Sequence, residues 1–415
     1  MRILHVIASL DPRQGGPVAG LQGLAGAWRD MGHEVEIACL DPVDSPWLAS
    51  QRTPVVAHGG PGLWVMGRRL RLPMSRYGYT TRLAKWLRIH RSRFDVVVVH
   101  GLWNYASIGS WRGLHAGHTP YFLFTHGMLD PWFRRAQPLK GFAKALYWRL
   151  LERRVVRDAR SVLFTAEDER RLAGMSFQPY VAREQVVGYG ASVPAFDVPA
   201  QTAAFFKAAP DLQGKTFILC LGRLHPKKGL DLLIRAFARN ARAPNAFDLV
   251  VAGPDPNGLG DKLRTLSKDL GVAARVHWLP MLTGDAKWGA FHAADFFALA
   301  SHQENFGVVI AEALAAGKPV LTTTKVAIWR EIEAAGAGVI VEDSIDSVEQ
   351  GLRALYSQKP DERRTMEAAA KRLYEQRYEL RRFSAVLIDL FADSGIDIFA
   401  DSGEDTSSAT TADLR

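Results

Sequence analysis

The chain holds only two cysteines in 415 residues, Cys39 and Cys220. Each lies in an apolar, strand-like run, "EVEIAC" and "TFILCL", in a different half of the chain. That usage excludes a disulfide scaffold and predicts two reduced core thiols in a reducing compartment. No stretch approaches the ~20 consecutive apolar residues of a membrane-spanning helix. The opening "MRILHVIASLDP" is too short for a signal peptide and lacks a small-residue cleavage site, so it is expected to be a first strand of a cytoplasmic protein. No Asp-x-Asp metal motif occurs. No Gly-x-Gly-x-x-Gly follows the first strand, which argues against a dinucleotide oxidoreductase. Acids are absent from residues 67–93, which contain nine Lys and Arg.

What is present is an excess of positive charge, net +9, concentrated in the first half. Residues 134–160 carry nine Lys and Arg against two acids, with Leu139, Phe142, Leu146 and Leu150 at helical spacing. A basic amphipathic helix with aromatics suits an anionic membrane surface, here the inner face of the cytoplasmic membrane. The alternative is a solvated helix whose apolar stripe packs on its own domain. Nucleic acid is not an expected partner, because no recognised nucleic-acid module accompanies the charge.

Apolar β-branched runs alternate with helical patterns from end to end. They fall at 2–8, 34–39, 95–101, 120–127 and 161–166, then at 216–222, 247–253, 274–280, 295–301, 318–324 and 338–342. Continuous apolar strands separated by helices indicate parallel sheets covered on both faces. The expected class is α/β, with two Rossmann-like doubly wound domains facing a central cleft. The small, Pro-containing stretch 190–201 suits a linker. The expected division is therefore 1–195, 196–376, an amphipathic helix at 377–392, and a tail at 393–415. Residues 392–415 hold six acids and one Arg among many Ser and Thr, a composition that cannot bury enough surface to order itself.

One stretch, "SHQENFGVVIAEALAAGKPVL" (301–321), places Glu304 just before a helix start and Glu312 inside the helix. In open α/β sheets, ligands sit beyond the carboxyl ends of strands, where helix N-termini point. Gly307 near that start offers free N–H groups and a positive dipole end to a phosphate. Eight helical residues span ~12 Å, about the reach from the hexose to the ribose of a nucleotide sugar. Carboxylates accept hydrogen bonds from paired hydroxyls, so Glu304 would hold the sugar and Glu312 the ribose. Arg223 and Lys228, in "LGRLHPKKGLDLLIRAF", follow a strand and precede a helix, where two cations would offset a leaving diphosphate. Gly15 and Gly16 let the backbone come close to the same phosphate. Each feature alone has an ordinary structural explanation: a helix-start acid, surface cations, a simple turn.

Together these stretches resemble one family. "ENFGVVIAEALAAGKPV" resembles the Glu-x7-Glu motif of retaining glycosyltransferases of the GT-B architecture, sequence family 4. "LGRLHPKKGLDLLIRAF" is similar to the family's Gly-Arg…Lys-Gly segment, "VVAGPDPNG" (250–258) to its strand and Gly turn near the nucleotide base, and "GGPVAGLQGLAGAWRDMGHEVEI" (15–37) to its first glycine loop and helix. The resemblance implies transfer of a hexose from a nucleotide-diphosphate sugar to a saccharide acceptor with retention, without cofactor or metal. It implies donor contacts from Gly15, Gly16, Arg223, Lys228, Gly253, Glu304, Asn305, Phe306, Gly307, Val308 and Glu312. His126, in "FTHGMLD", corresponds to the histidine beside the transferred sugar, and His126, Arg223, Lys228 and Glu304 form the implied catalytic set. His100, Trp103, Asn104 and Tyr105 make a mixture suited to a sugar acceptor. The basic first half suggests a polyprenyl-diphosphate-linked acceptor in bacterial surface polysaccharide or exopolysaccharide assembly. The chain departs from the common pattern at Asn305, where many members have Gly, and at "TTTKVAIWREI" (322–332), where Lys325, Val326 and Trp329 reshape the wall around the donor sugar. A non-catalytic sugar-nucleotide-binding protein and a sugar-nucleotide epimerase are the alternatives on this fold.

Overall fold

A computed structural model describes residues 1–60, 64–65, 68–69, 77–131, 138–241 and 247–400. The apolar runs of the first half form β1 (Arg2–Ile7), β2 (Glu34–Pro42), β3 (Val55–Gly59), β4 (Val96–His100), β5 (Tyr121–Phe124), β6 (Ser161–Phe164) and β7 (Glu184–Val186). They pair in the order β3-β2-β1-β4-β5-β6-β7, every pair parallel. β3 and β7 go beyond the sequence expectation. Both lie at sheet edges, and β7 ("EQV") is too short and polar to stand out as an apolar run.

The second half repeats the plan. β8 (Phe217–Leu221), β9 (Asp248–Ala252), β10 (Val276–Leu279), β11 (Phe296–Leu299), β12 (Val320–Thr323) and β13 (Gly338–Val341) form a parallel sheet in the order β10-β9-β8-β11-β12-β13. Each sheet therefore reverses direction between its first and fourth strands, which is where open α/β sheets leave a crevice at their carboxyl ends. The central strands are buried along most of their length because helices cover both faces; β4 and β11 are buried at every residue. Cys39 and Cys220 are buried and unpaired in this core.

After β7 the chain passes to helix Val198–Ala208, which packs on helix Gly284–Ala293 of the second half. The final helix returns to the first half. Its Ser384 carbonyl accepts from Trp28 Nε1 at 3.1 Å, and Phe391 lies between the rings of Trp28 and Phe122. That helix runs Leu380–Ala400, past the expected end at 392. Extending a formed helix adds one hydrogen bond per residue fixed, and "DSGIDIFA" holds a single Gly and no Pro to stop it. The rest of the acidic tail, 401–415, lies outside the described residues. Between the halves, Tyr189, Phe306, Tyr378 and Phe383 meet ring to ring, so the two cores join across the cleft floor.

Candidate functional site

At the carboxyl end of β11 the chain does not enter its helix directly. The Glu304 N–H donates to the Lys325 carbonyl at 3.0 Å, and the Glu304 carbonyl accepts from Ala327 N at 3.2 Å, so Glu304 is stitched to the loop after β12. Gly307 then caps helix Val308–Ala315 at φ 76°, a left-handed conformation that suits glycine. The first N–H groups of that helix have no partner within it. Glu312 is its fifth residue.

Each of the two carboxylates has its own lysine. Lys228 Nζ contacts Glu304 Oε2 directly, with both side chains less than a fifth exposed. Lys287, on helix Gly284–Ala293, donates to Glu312 Oε1 at 2.6 Å. Burial pushes the Glu312 carboxyl up, and the lysine pulls it back. Lys228 is positioned by a 3₁₀ turn, Pro226–Lys228, which closes on Gly229 at φ 62°. A Cβ on Gly229 would fall 1.8 Å from the Ala300 carbonyl oxygen, so only glycine lets this turn lie against the end of β11. Arg223 is exposed on the same loop. Gly253 has a comparable reason: a Cβ there would lie 2.0 Å from the Gly222 carbonyl oxygen.

The first half brings different chemistry to the cleft. Gly15, at φ 80° and ψ −134°, turns the chain into helix Gly16–Asp30, and a Cβ on Gly16 would lie 3.8 Å from Val308. The Tyr189 hydroxyl donates to the Gly16 carbonyl at 3.3 Å while its ring packs on Phe306. His126 adopts φ 49°, uncommon for a non-glycine residue and costly by about 1–3 kcal/mol unless its surroundings hold it there. Glu169 does so from helix Glu167–Gly174, which follows β6. Its buried carboxylate accepts from Thr125 Oγ1 at 2.7 Å and Gly127 N at 2.6 Å, and from Thr165 N and Oγ1 at 2.8 and 2.7 Å. Polar contacts then cross to the second half: Asn305 Nδ2 to Thr165 Oγ1 at 3.2 Å, Gln303 Nε2 to Asp130 Oδ2 at 3.0 Å, and Trp329 Nε1 and Arg330 to Asp168. Beside Glu304 and Asn305, a cavity of about 1140 Å³ opens between Gly127, Asp130 and Glu169 on one side and His225, Lys227 and Lys325 on the other.

The structure thus brings Gly15, Gly16, His126, Asn305, Phe306, Gly307 and Val308 together, with Glu304, Lys228 and Glu312 on adjoining elements. It does not bring the acceptor candidates there as a group. His100 is 3% exposed and inside the sheet, hydrogen-bonded to two other histidines, so it is not placed to touch an acceptor. Tyr105 is 3% exposed against Tyr77 and Tyr79. Asn104 is spent capping helix Tyr105–Leu114. Trp103 is half-buried at φ 65°, its N–H donating to Glu152, whose carboxyl burial pushes up to about 7. Val326 is fully buried; of Lys325, Val326 and Trp329 only Lys325 lines the cavity, beside Thr324 and Ala327 of the same stretch. Sequence reasoning missed Lys287 and Glu169. Glu169 carried a weak signal, an acid in the first turn after a strand; Lys287 carried none.

Two family models tile the chain: "Glycosyl transferase 4-like domain" over residues 15–201 and "Glycosyl transferases group 1" over residues 202–372. The D-inositol 3-phosphate glycosyltransferases of Mycobacteroides abscessus and Rhodococcus jostii are both 34% identical, over 174 and 165 residues. Those matches cover 41% and 39% of this chain but only 38% and 36% of the relatives, so less than half of each relative is matched. Among solved structures, Anabaena Alr3699/HepE in complex with UDP and glucose superposes with TM-score 0.70 at 18% identity, covering 94% of this chain and 99% of that one. WaaG, a glycosyltransferase involved in lipopolysaccharide biosynthesis, superposes with TM-score 0.62 at 18% identity, covering 97% and 100%. These likenesses establish the GT-B fold.

Proposed function

The chain belongs to the group 1 glycosyl transferases, and we propose that it moves a hexose from a nucleotide-diphosphate sugar to a saccharide acceptor with retention of configuration. The observation that carries this reading is the pair of lysine–carboxylate couples flanking one helix N-terminus: Lys228 with Glu304, and Lys287 with Glu312. A diphosphate at the start of helix Val308–Ala315 would meet N–H groups, the dipole end and Lys228 together. Its arrival would draw Lys228 from Glu304 and free that carboxylate to accept from sugar hydroxyls. Glu312, with one oxygen held by Lys287, keeps acceptor capacity for the ribose hydroxyls.

In the proposed step the bond from the anomeric carbon to the leaving phosphate oxygen breaks, and a bond to the acceptor oxygen forms on the same face. The acceptor proton passes to the leaving phosphate. Lys228 and Arg223 offset the charge that grows on the diphosphate, which matters most in the transition state. Gly127, next to His126, abuts Asn305, and the His126 ring meets Tyr189, which packs on Phe306, so His126 would stand beside the sugar; the cavity next to Glu304 has room for the sugar parts of donor and acceptor.

The proposed acceptor is lipid-linked, for surface polysaccharide assembly. Phe142, Leu146 and Leu150 are 77%, 55% and 56% exposed at successive helical turns, with Lys144, Arg149, Arg153 and Arg154 on the same segment. Side chains of 132–140, including Leu139, lie outside the described residues. Among the described residues no helix is long and apolar enough to cross a membrane. An exposed apolar stripe flanked by cations supports peripheral docking on anionic lipid.

The decisive experiment incubates the purified chain with a panel of nucleotide sugars and follows the anomeric carbon by NMR. A nucleotide sugar that stabilises the fold and yields a product of unchanged anomeric configuration supports the reading; a stabilising ligand that is interconverted without an acceptor supports an epimerase; no stabilisation by any nucleotide sugar sinks the site assignment. Flotation with anionic vesicles tests the docking, and absence of binding at low salt would remove it.

A further inference from the structure

We propose that His5, His100 and His126 form a closed-ended imidazole wire that presents His126 to the cleft as a neutral ring in one tautomer, with its Nδ1–H turned to the ligand. His5 and His100 are then positioning residues, at successive distances from the chemistry. The proposal deepens the role given to His126 above.

The wire starts inside the first sheet. His5 on β1 is fully buried and its ring stacks on Trp28, 5.1 Å between centroids. Its Nδ1 lies 2.9 Å from His100 Nε2 at the end of β4, and His100 Nδ1 lies 3.1 Å from His126 Nε2 after β5. The three strands are neighbours in the order β1-β4-β5, so the rings step across the sheet toward the cleft. His126 is the half-buried end; His5 Nε2, at the other end, is buried without a hydrogen-bond partner.

A neutral imidazole has one N–H and one bare nitrogen. Each of the two contacts needs one hydrogen between its nitrogens, and this leaves only two arrangements. If His5 carries its proton on Nδ1, it donates to His100 Nε2; His100 must then donate from Nδ1 to His126 Nε2, and His126 carries Nδ1–H. If His5 is protonated on Nε2, all three rings switch together and His126 Nδ1 becomes an acceptor. The second arrangement leaves a buried N–H orphaned beside Trp28, and orphaned buried N–H groups are rare. It would also offer a lone pair, rather than an N–H, to a donor that carries an anionic diphosphate. Both arguments select Nδ1–H. Burial adds that none of the rings charges near neutral pH: His126 is held down to about 4 and His5 to about 3. The buried inner end has no partner to pass a proton to, so the wire orients rather than conducts.

The test labels the histidines of the full chain with ¹⁵N and assigns the three rings with single His→Phe variants. The expected spectrum at neutral pH, without ligand, shows Nδ1 protonated and Nε2 bare in all three. An Nε2–H ring or an imidazolium at any of them overturns the proposal, whatever the enzyme's substrate. His5→Phe keeps a ring on Trp28 but removes the bond; His126 should become a tautomer mixture. With UDP-glucose as probe, kcat for donor hydrolysis should fall about tenfold, the worth of one hydrogen bond to a polar group, with KM changed less than about twofold. His5→Asn, whose amide sits where Nδ1 was, should restore both. An unchanged His126 signal and kcat in His5→Phe would show packing alone. Should His5→Phe not fold, His100→Gln, which keeps the contact to His5 and loses the one to His126, is read the same way. No turnover of UDP-glucose by the unmodified chain would count against that donor, and the ligand-free spectrum would still decide the wire.

Discussion

The two halves share a strand order and differ in what their strand ends carry. At the reversal between β8 and β11, the second half places Lys228 against Glu304, with Lys287 against Glu312 close behind. At the matching reversal between β1 and β4, the first half places a glycine turn and a row of linked histidines that burial holds below their ordinary pKa. The same topology thus makes a charged wall and a neutral wall, and a ligand with an anionic and a sugar end would be sorted by them. The charged wall binds through groups that must exchange partners when ligand arrives. The neutral wall is held in place before any ligand arrives, down to a histidine at positive φ whose turn Glu169 fixes.

The largest effect should come from breaking the charged wall. Lys228→Met is expected to lower turnover by about 10²–10³-fold, the worth of a preorganised contact to developing charge, while the first half keeps its fold. Steady-state donor hydrolysis with a thermal melt on the same sample checks both parts. Glu312→Gln should weaken UDP by about tenfold and erase the preference for UDP over its 2′-deoxy form, measured by titration calorimetry. An equal loss for both ligands would remove the ribose role.

Acid should weaken the first half more than the second, where burial lowers His225 and His292 but raises Glu312. His5, His58, His100 and His126, all in the first half, are held below their ordinary value by burial. Unfolded histidines titrate near 6.5. Between that pH and the folded values the unfolded chain binds more protons, so stability is full above about pH 7. It falls as pH drops toward about 4, by up to about 1.4 kcal/mol per pH unit for each histidine. Glu312 works the other way: burial raises it, so its penalty is present above its folded pKa and fades as pH falls. Hydrogen exchange between pH 7.5 and 4 should show the first sheet opening first; simultaneous opening would contradict the contrast. The smallest effect is expected at the seam. Arg330→Ala removes a half-exposed partner of Asp168 and should cost no more than about 1 kcal/mol in urea titration.

Much of this was legible in the residues. β-branched runs bounded by glycine turns set out the sheets, since strands buried on both faces must be apolar throughout. The Glu304…Glu312 spacing and the Lys228–Gly229 pair marked the charged wall, because helix starts and strand ends are local features. The acceptor group was not legible: Trp103, Asn104 and Tyr105 have a sugar-binding composition, yet Asn104 is used as a helix cap and Tyr105 as core. Residue type says what a side chain can do, and local backbone demand decides whether it is free to do it.

By itself the sequence determined the α/β class, the two-sheet plan, and the placement of acids, cations and glycines at strand ends, all properties of short segments. Only the tertiary structure decided that Lys287 meets Glu312 from 25 residues away, that Glu169 clamps the turn at His126, and that His5, His100 and His126 stand within hydrogen-bond reach. Those partners lie on different elements of the chain. Their meeting depends on the register and order of parallel strands, which packing of the whole sheet sets and which no local pattern encodes.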